Sequence, residues 1–269
     1  QLFSWLSQSL CRPLPVELGC ARLVLQAELT VGSAPDDKLQ NQLEKRYQGD
    51  GFNAGVLARN PYLARAYPDF TALWADGELV LGISCGGVWA TEDDGASWVL
   101  RTQGLQADYM PPEQAGDGAT QDPHCMAACA AAPDVLWCQH HSGIWRSTDR
   151  GLQWQPVTAP RTSFGFAVAA HPTDPATAWF VPAVSDQCRV PVGGALVVNR
   201  TRDGGASFDT LGDGLPAADC FDLVYRHGLA VADDGRHLLL GSTTGGLWAS
   251  ADGGDHWTTV STTLPPIYA

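Results

Sequence analysis

The chain repeats one eight-residue pattern four times: "TEDDGASW" (Thr91 to Trp98), "STDRGLQW" (Ser147 to Trp154), "TRDGGASF" (Thr201 to Phe208) and "SADGGDHW" (Ser250 to Trp257). Each is a hydroxyl residue, a spacer, Asp, a spacer, Gly, two spacers and an aromatic ring. From Asp93 to Asp149, Asp203 and Asp252 the steps are 56, 54 and 49 residues. Before each pattern lies a short apolar run: "GVWAT", "GIWRS", "LVVNRT" and "GLWAS". Before those come "ELVLGIS", "DVLWCQHH", "TAWFVPA" and "HLLLGST", rich in β-formers and ended by small or polar residues. Three units show a further strand still earlier, in "HCMAACAAAP", "FGFAVAAHP" and "HGLAVADD". The unit therefore reads strand, strand, strand, turn, strand, at the period of a propeller blade. A lone four-stranded sheet cannot cover its own faces, whereas several packed radially can. The expected fold is an all-β propeller of at least four four-stranded antiparallel blades, over residues 71–269.

The pattern of Ser or Thr, Asp, Gly and Trp resembles the Asp-box, or BNR, repeat of sialidases and related β-propeller proteins. From about Ala72 to Tyr268, including "GISCGGVWATEDDG", "DVLWCQHHSGIWRSTD" and "GSTTGGLWASADGGDHW", the chain is similar to bacterial proteins labelled glycosyl hydrolase or exo-sialidase-like. What the resemblance implies is a carbohydrate-active hydrolase of propeller fold, by analogy of fold. The related proteins carry further blades upstream. Here residues 1–70 hold no such box and are punctuated by Pro, as in "CRPLPVELG" and "RNPYLARAYPDF", so degenerate blades closing the ring or an incomplete propeller both stay open.

Repeated identically in every unit, Asp93, Asp149, Asp203 and Asp252 serve the unit, as acceptors for backbone N–H groups of the turn, and not catalysis. Trp98, Trp154, Phe208 and Trp257 are expected to pack the start of the fourth strand. Trp89, Trp145 and Trp248 recur at one strand position and are expected in the core.

Charge and composition restrict the partners. With 16 Lys+Arg against 29 Asp+Glu the formal charge is −13, which repels phosphate backbones and anionic membrane surfaces, and no apolar run spans a bilayer. Neither nucleic acid nor a membrane is an expected partner; a carbohydrate, a small anion or a protein is. The eight cysteines lack paired structural-zinc spacing and read as buried, reduced thiols, pointing to the cytoplasm. The start lacks a signal-peptide pattern and also an initiator Met, so a processed or fragmentary chain stays open.

Strands of a blade alternate in direction, so the repeated turns share one face with the loops joining strands one and two. The opposite face collects the loops between strands two and three and the blade-to-blade connections. Those segments hold Asp122, His124, His140, His141, Arg161, Arg189, Asp222, Tyr225, Arg226 and His227. Arg161, Arg189 and Arg226 come from separate connections and would, if convergent, hold a carboxylate such as that of sialic acid. His124, His140, His141 and His227 would ring the channel mouth, where imidazoles bind a transition metal or move protons. No metal-ligand spacing is met, so no metal or other cofactor is expected. Two functional classes follow. One is a sialidase-like hydrolase, with Asp122 and Asp222 flanking a glycosidic bond and Tyr225 and His124 beside them. The other is a non-catalytic propeller that holds a protein or glycan on the same face.

Overall fold

A computed structural model describes residues 70–75, 78–93 and 97–268. The expected irregular segment over residues 1–70 lies, apart from Phe70, outside them. The described chain is all-β, with two single-turn 3₁₀ segments. Four antiparallel sheets follow one another. The first has β1 (Phe70–Ala75), β2 (Glu78–Ile83), β3 (Gly87–Thr91) and β4 (Val99–Leu100) in sequence order, and the second has β5 (Pro123–Cys129), β6 (Ala132–His140), β7 (Gly143–Ser147) and β8 (Gln155–Val157). The third contains β9 (Gly165–Ala170), β10 (Ala178–Ser185), β11 (Cys188–Pro191), β12 (Val198–Thr201) and β13 (Asp209–Leu211), and the last β14 (Leu229–Val231), β15 (Leu238–Gly241), β16 (Leu247–Ser250) and β17 (Thr258–Ser261). These are blades of a β-propeller.

Contacts divide the chain into two units. Among the described residues, one comprises 74–75, 78–79, 90–93 and 97–99, and the other 70–73, 80–89 and 100–268. Within the second unit the apolar cores lie between successive sheets. Trp137, Ile144 and Cys125 of one blade meet Val168, Ala178 and Phe180 of the next. Trp179, Val181 and Val198 then meet Leu229, Leu238, Leu240 and Trp248. The third sheet thus buries both faces against its neighbours, and its leading strand reads as a continuous apolar run, "GFAVAA". The leading strand β9 lies against both β5 and β14, which sets the innermost strands side by side.

The four repeated turns share one hydrogen-bond scheme. Asp93, Asp149, Asp203 and Asp252 accept the backbone N–H four residues on, from Ser97, Gln153, Ser207 and His256, at 2.8–3.0 Å. Each also accepts the hydroxyl two residues before it, at 2.7–2.9 Å. The hydroxyls of Ser147, Thr201 and Ser250 accept in turn from Gly151, Gly205 and Gly254, all at positive φ. Trp154, Trp257, Trp145 and Trp248 are buried, while Trp89, Trp98 and Phe208 are half-buried.

Two expectations are corrected. The third blade carries a fifth strand: β11 folds back on the end of β10, pairing Ala183 with Pro191 and Ser185 with Cys188. "CRVP" has the polar, Pro-ended composition of a loop, and only the tertiary context makes it a strand. The cysteines are not all buried. All six in the described residues are free thiols, but Cys85, in the β2–β3 loop, and Cys188, at the start of β11, are exposed.

Candidate functional site

Asp122 precedes β5 and is buried. Its Oδ1 accepts the Ser84 hydroxyl at 2.6 Å and the Cys85 N–H at 3.1 Å, both from the β2–β3 loop one blade back. Its Oδ2 faces two imidazoles, 3.6 Å from His124 Nε2 and 3.3 Å from His141 Nδ1. Burial opposes ionisation, but His124, the Ser84 hydroxyl and the Cys85 N–H outweigh it, so the carboxyl is held well below the usual carboxylate range. Cys85 responds in the opposite sense: although the residue is exposed, partial shielding of its sulfur and the adjacent Asp122 carboxylate push its thiol up, away from thiolate chemistry.

Each imidazole is fixed by its strand. His124, on β5, lies 2.7 Å from the Gly165 carbonyl through Nδ1, so that nitrogen carries the proton and Nε2 is turned to Asp122. Its ring stacks on Phe166, centroids 4.6 Å apart at 14°. Gly165 leaves no room for a side chain, since a Cβ there would sit 2.4 Å from the Val181 carbonyl oxygen. His140, at the end of β6, presents Nε2 to the Asp122 N–H at 2.9 Å and Nδ1 to the Ser142 N–H at 3.0 Å. Burial, with the neighbouring His124 and His141 imidazoles, pulls its pKa down to about 3, so it stays neutral and only one of its two nitrogens can accept at a time. His140 is therefore a brace. His141, next in the chain, meets the Asp122 carboxylate instead and is partly exposed.

Aromatic rings surround this centre. Tyr109 meets His141 edge-on at 4.7 Å, Phe164 lies 5.7 Å from both His124 and His141, and Phe166 contacts Tyr225 at 5.1 Å. Burial and the Asp122 charge raise the Tyr109 phenol, which stays protonated and donates to the Thr120 carbonyl at 2.5 Å. The guanidinium of Arg189 covers Phe166 and that of Arg226 covers Tyr225, at 5.1 and 5.2 Å. Arg226 also donates to the His124 carbonyl at 2.7 Å and to the Ser84 hydroxyl at 3.2 Å, which ties the centre to the connection before β14.

Of the residues singled out by sequence, Asp122, His124, His140, His141, Tyr225, Arg189 and Arg226 come together here. Asp222 does not bond to this centre: Oδ1 accepts from Ser242 at 2.7 Å and from Thr244, and Oδ2 faces the Cys220 thiol at 3.2 Å. Arg161 donates to the Val192 carbonyl at 3.1 Å from an exposed position, and His227 is exposed. Sequence reasoning missed Ser84 and Phe166. Ser84 belongs to a short "SCGG" loop that recurs as "TTGG" in the last blade and so reads as part of the repeat, and Phe166 looks like one more core residue of an apolar strand.

No family model and no curated protein matches the chain. Among solved structures, an ancestral GH74 enzyme matches with a TM-score of 0.52 and 16% identity, over 71% of this chain and 24% of that one. The GH74 enzyme of Niastella koreensis matches with a TM-score of 0.51 and 12% identity, over 71% and 29%. YCF48 bound to D1 peptide matches at 0.36 and 14%, over 75% and 86%. The chain spans about a quarter of the length of the two GH74 enzymes. What it shares with them is the β-propeller fold.

Proposed function

We propose that this chain is a ligand-binding β-propeller whose site is centred on Asp122, and that its ligand is a neutral carbohydrate. The observation that carries the reading is that the two carboxylates first paired for hydrolysis are engaged by separate sets of hydrogen-bond donors, Asp122 by Ser84 and Cys85 and Asp222 by Cys220 and Ser242. Cleavage by a carboxylate pair needs one member that keeps its proton near neutral pH. Asp122 and Asp222 both have lowered pKa values: in each, hydrogen bonds from neighbouring side chains outweigh burial. Asp222 also has both oxygens engaged, one by Cys220 of its own connection and the other by Ser242 of the β15–β16 loop. Such a pair holds ligands better than it cuts them.

Carbohydrate is the ligand class because ring faces stand beside fixed polar groups, with Tyr109 41% exposed next to the partly exposed His141. GH74 enzymes share the fold. Neutral sugars are favoured over acidic ones because the three arginines are engaged separately, Arg161 by Val192, Arg189 by Asp186 and Arg226 by His124 and Ser84.

Affinity electrophoresis and calorimetry against neutral and sialylated glycans test this. Retention on a neutral glycan, weakened about tenfold in Tyr109→Ala and without release of reducing ends, is expected. Reducing-end release that disappears in Asp122→Asn would restore the hydrolase. Binding of a sialylated glycan lost in Arg189→Ala would restore the acidic-sugar site. Retention on no glycan would leave the protein-binding propeller.

A further inference from the structure

We propose that Asp122, His124 and His141 form a binding site for a divalent transition-metal ion of the zinc type. The inference stands on the geometry of these side chains and does not require the ligand to be a carbohydrate.

One ligand atom from each of the three lies within 4.8 Å of the others, and this is such a cluster among the described residues. The separations are informative. At 3.6 and 3.3 Å, His124 Nε2 and His141 Nδ1 are too far from Asp122 Oδ2 for good N–H···O bonds, which cluster at about 2.7–3.2 Å. The 3.3 Å separation equals the edge of a tetrahedron of donors around one ion, about 3.3 Å when the bonds are about 2.0–2.1 Å, and the 3.6 Å one lies slightly beyond it. Two imidazoles and a carboxylate are the donor set of zinc hydrolases and of non-haem iron sites, with positions left for solvent or ligand.

The groups behind the ligands are arranged as a metal site requires. A ligating histidine commonly donates its other ring N–H to a carbonyl or carboxylate. His124 does so through Nδ1 to Gly165, which makes Nε2 the atom turned toward Asp122. The Asp122 oxygen not facing the imidazoles is held by Ser84 and Cys85, so Oδ2 is the atom on offer. Side-chain exposure is 3% for His124, 9% for Asp122 and 21% for His141. The ion would be walled by protein on one side and open on the side of His141 and Tyr109. His141, the most exposed of the three, is the ligand with most room to shift as an ion draws the donors together. The site lies on the same face as the Tyr109 ring, so an ion there would meet the hydroxyls of a bound sugar.

The test is uptake of zinc and cobalt by chelator-treated full-length protein, without glycan, in a Cys85→Ser/Cys188→Ser background that removes the two exposed thiols. Equimolar zinc uptake is expected, with a cobalt visible spectrum lacking the thiolate charge-transfer band. His141→Ala, at a partly exposed position outside the core, should fold with an unchanged circular dichroism spectrum. Its zinc affinity should fall by more than the about 10–100-fold seen on losing an outer partner. His171→Ala, at a histidine outside the cluster, should leave affinity unchanged. Absence of equimolar uptake, or uptake unaffected by His141→Ala, overturns the proposal. Glycan retention with no zinc uptake would sink the metal site and leave the binding reading standing.

Discussion

Asp149 accepts the Gln153 N–H at 2.9 Å and the Ser147 hydroxyl at 2.7 Å, closing a turn that recurs in every blade. Asp149→Ala leaves both donors without their acceptor, so a loss of about 1–2 kcal/mol in chemical denaturation is expected, with glycan and zinc binding unchanged. Lost binding at unchanged stability would overturn the structural role. Asp203 allows the charge to be tested separately. Hydrogen bonds from the Ser207 hydroxyl and N–H lower its pKa to about 2. A carboxyl whose folded pKa lies below its unfolded value stabilises above the unfolded value, about 4, and that contribution disappears as pH falls to about 2. The melting-temperature gap between wild type and Asp203→Asn should therefore be full at neutral pH and shrink over that window. A gap constant with pH would show that shape, not charge, is what Asp203 provides.

Between elements, each blade grips the repeated turn of the next. Arg101 donates to the Arg150 carbonyl, Arg146 lies against Gly204, and Arg200 with Trp179 donates to the Gly253 carbonyl. Trp154 N–H bonds the Gln103 carbonyl and Trp257 N–H that of Asp213. The two grips close tightly: a Cβ on Gly104 would sit 2.2 Å from the Trp154 oxygen, and one on Gly214 1.8 Å from the Trp257 oxygen, both at positive φ. Gly214→Ala should cost at least about 2 kcal/mol, combining the left-handed backbone with a backbone clash. Gly193→Ala, also at positive φ but facing open space, should cost only the backbone share, about 1 kcal/mol. Equal losses in the two would show that the interblade fit contributes nothing. At this scale the sequence was legible wherever a local pattern repeats. The strands and turns follow from alternating β-formers and the Asp–Gly spacing. β11 was illegible because it exists only by pairing with β10, and the grips because an arginine before Ser or Thr carries no local mark of its distant carbonyl.

Over the whole molecule, blade topology brought the connections to one face, and it was this, with no motif, that singled out Asp122, His124 and His141. The pairing of Asp122 with Asp222 did not follow, because loop side chains choose partners by local geometry: Ser242 and Thr244 lie within reach of Asp222 and complete its bonding. The same scale sets how ligands arrive. With a formal charge of −13, the surface repels acidic ligands over distances set by the ionic strength, about 10 Å at 0.1 M salt. A neutral glycan feels no such field, and its contacts at Tyr109 are short-ranged. Association of a neutral glycan should therefore be insensitive to added sodium chloride, whereas any residual association of a sialylated glycan should speed up as salt screens the repulsion. Stopped-flow fluorescence of the tryptophans would follow both. An association rate for the sialylated glycan that falls with salt would mean that arginines at the site, led by Arg189 and Arg226, locally overturn the net charge, and the ligand would then be an acidic sugar.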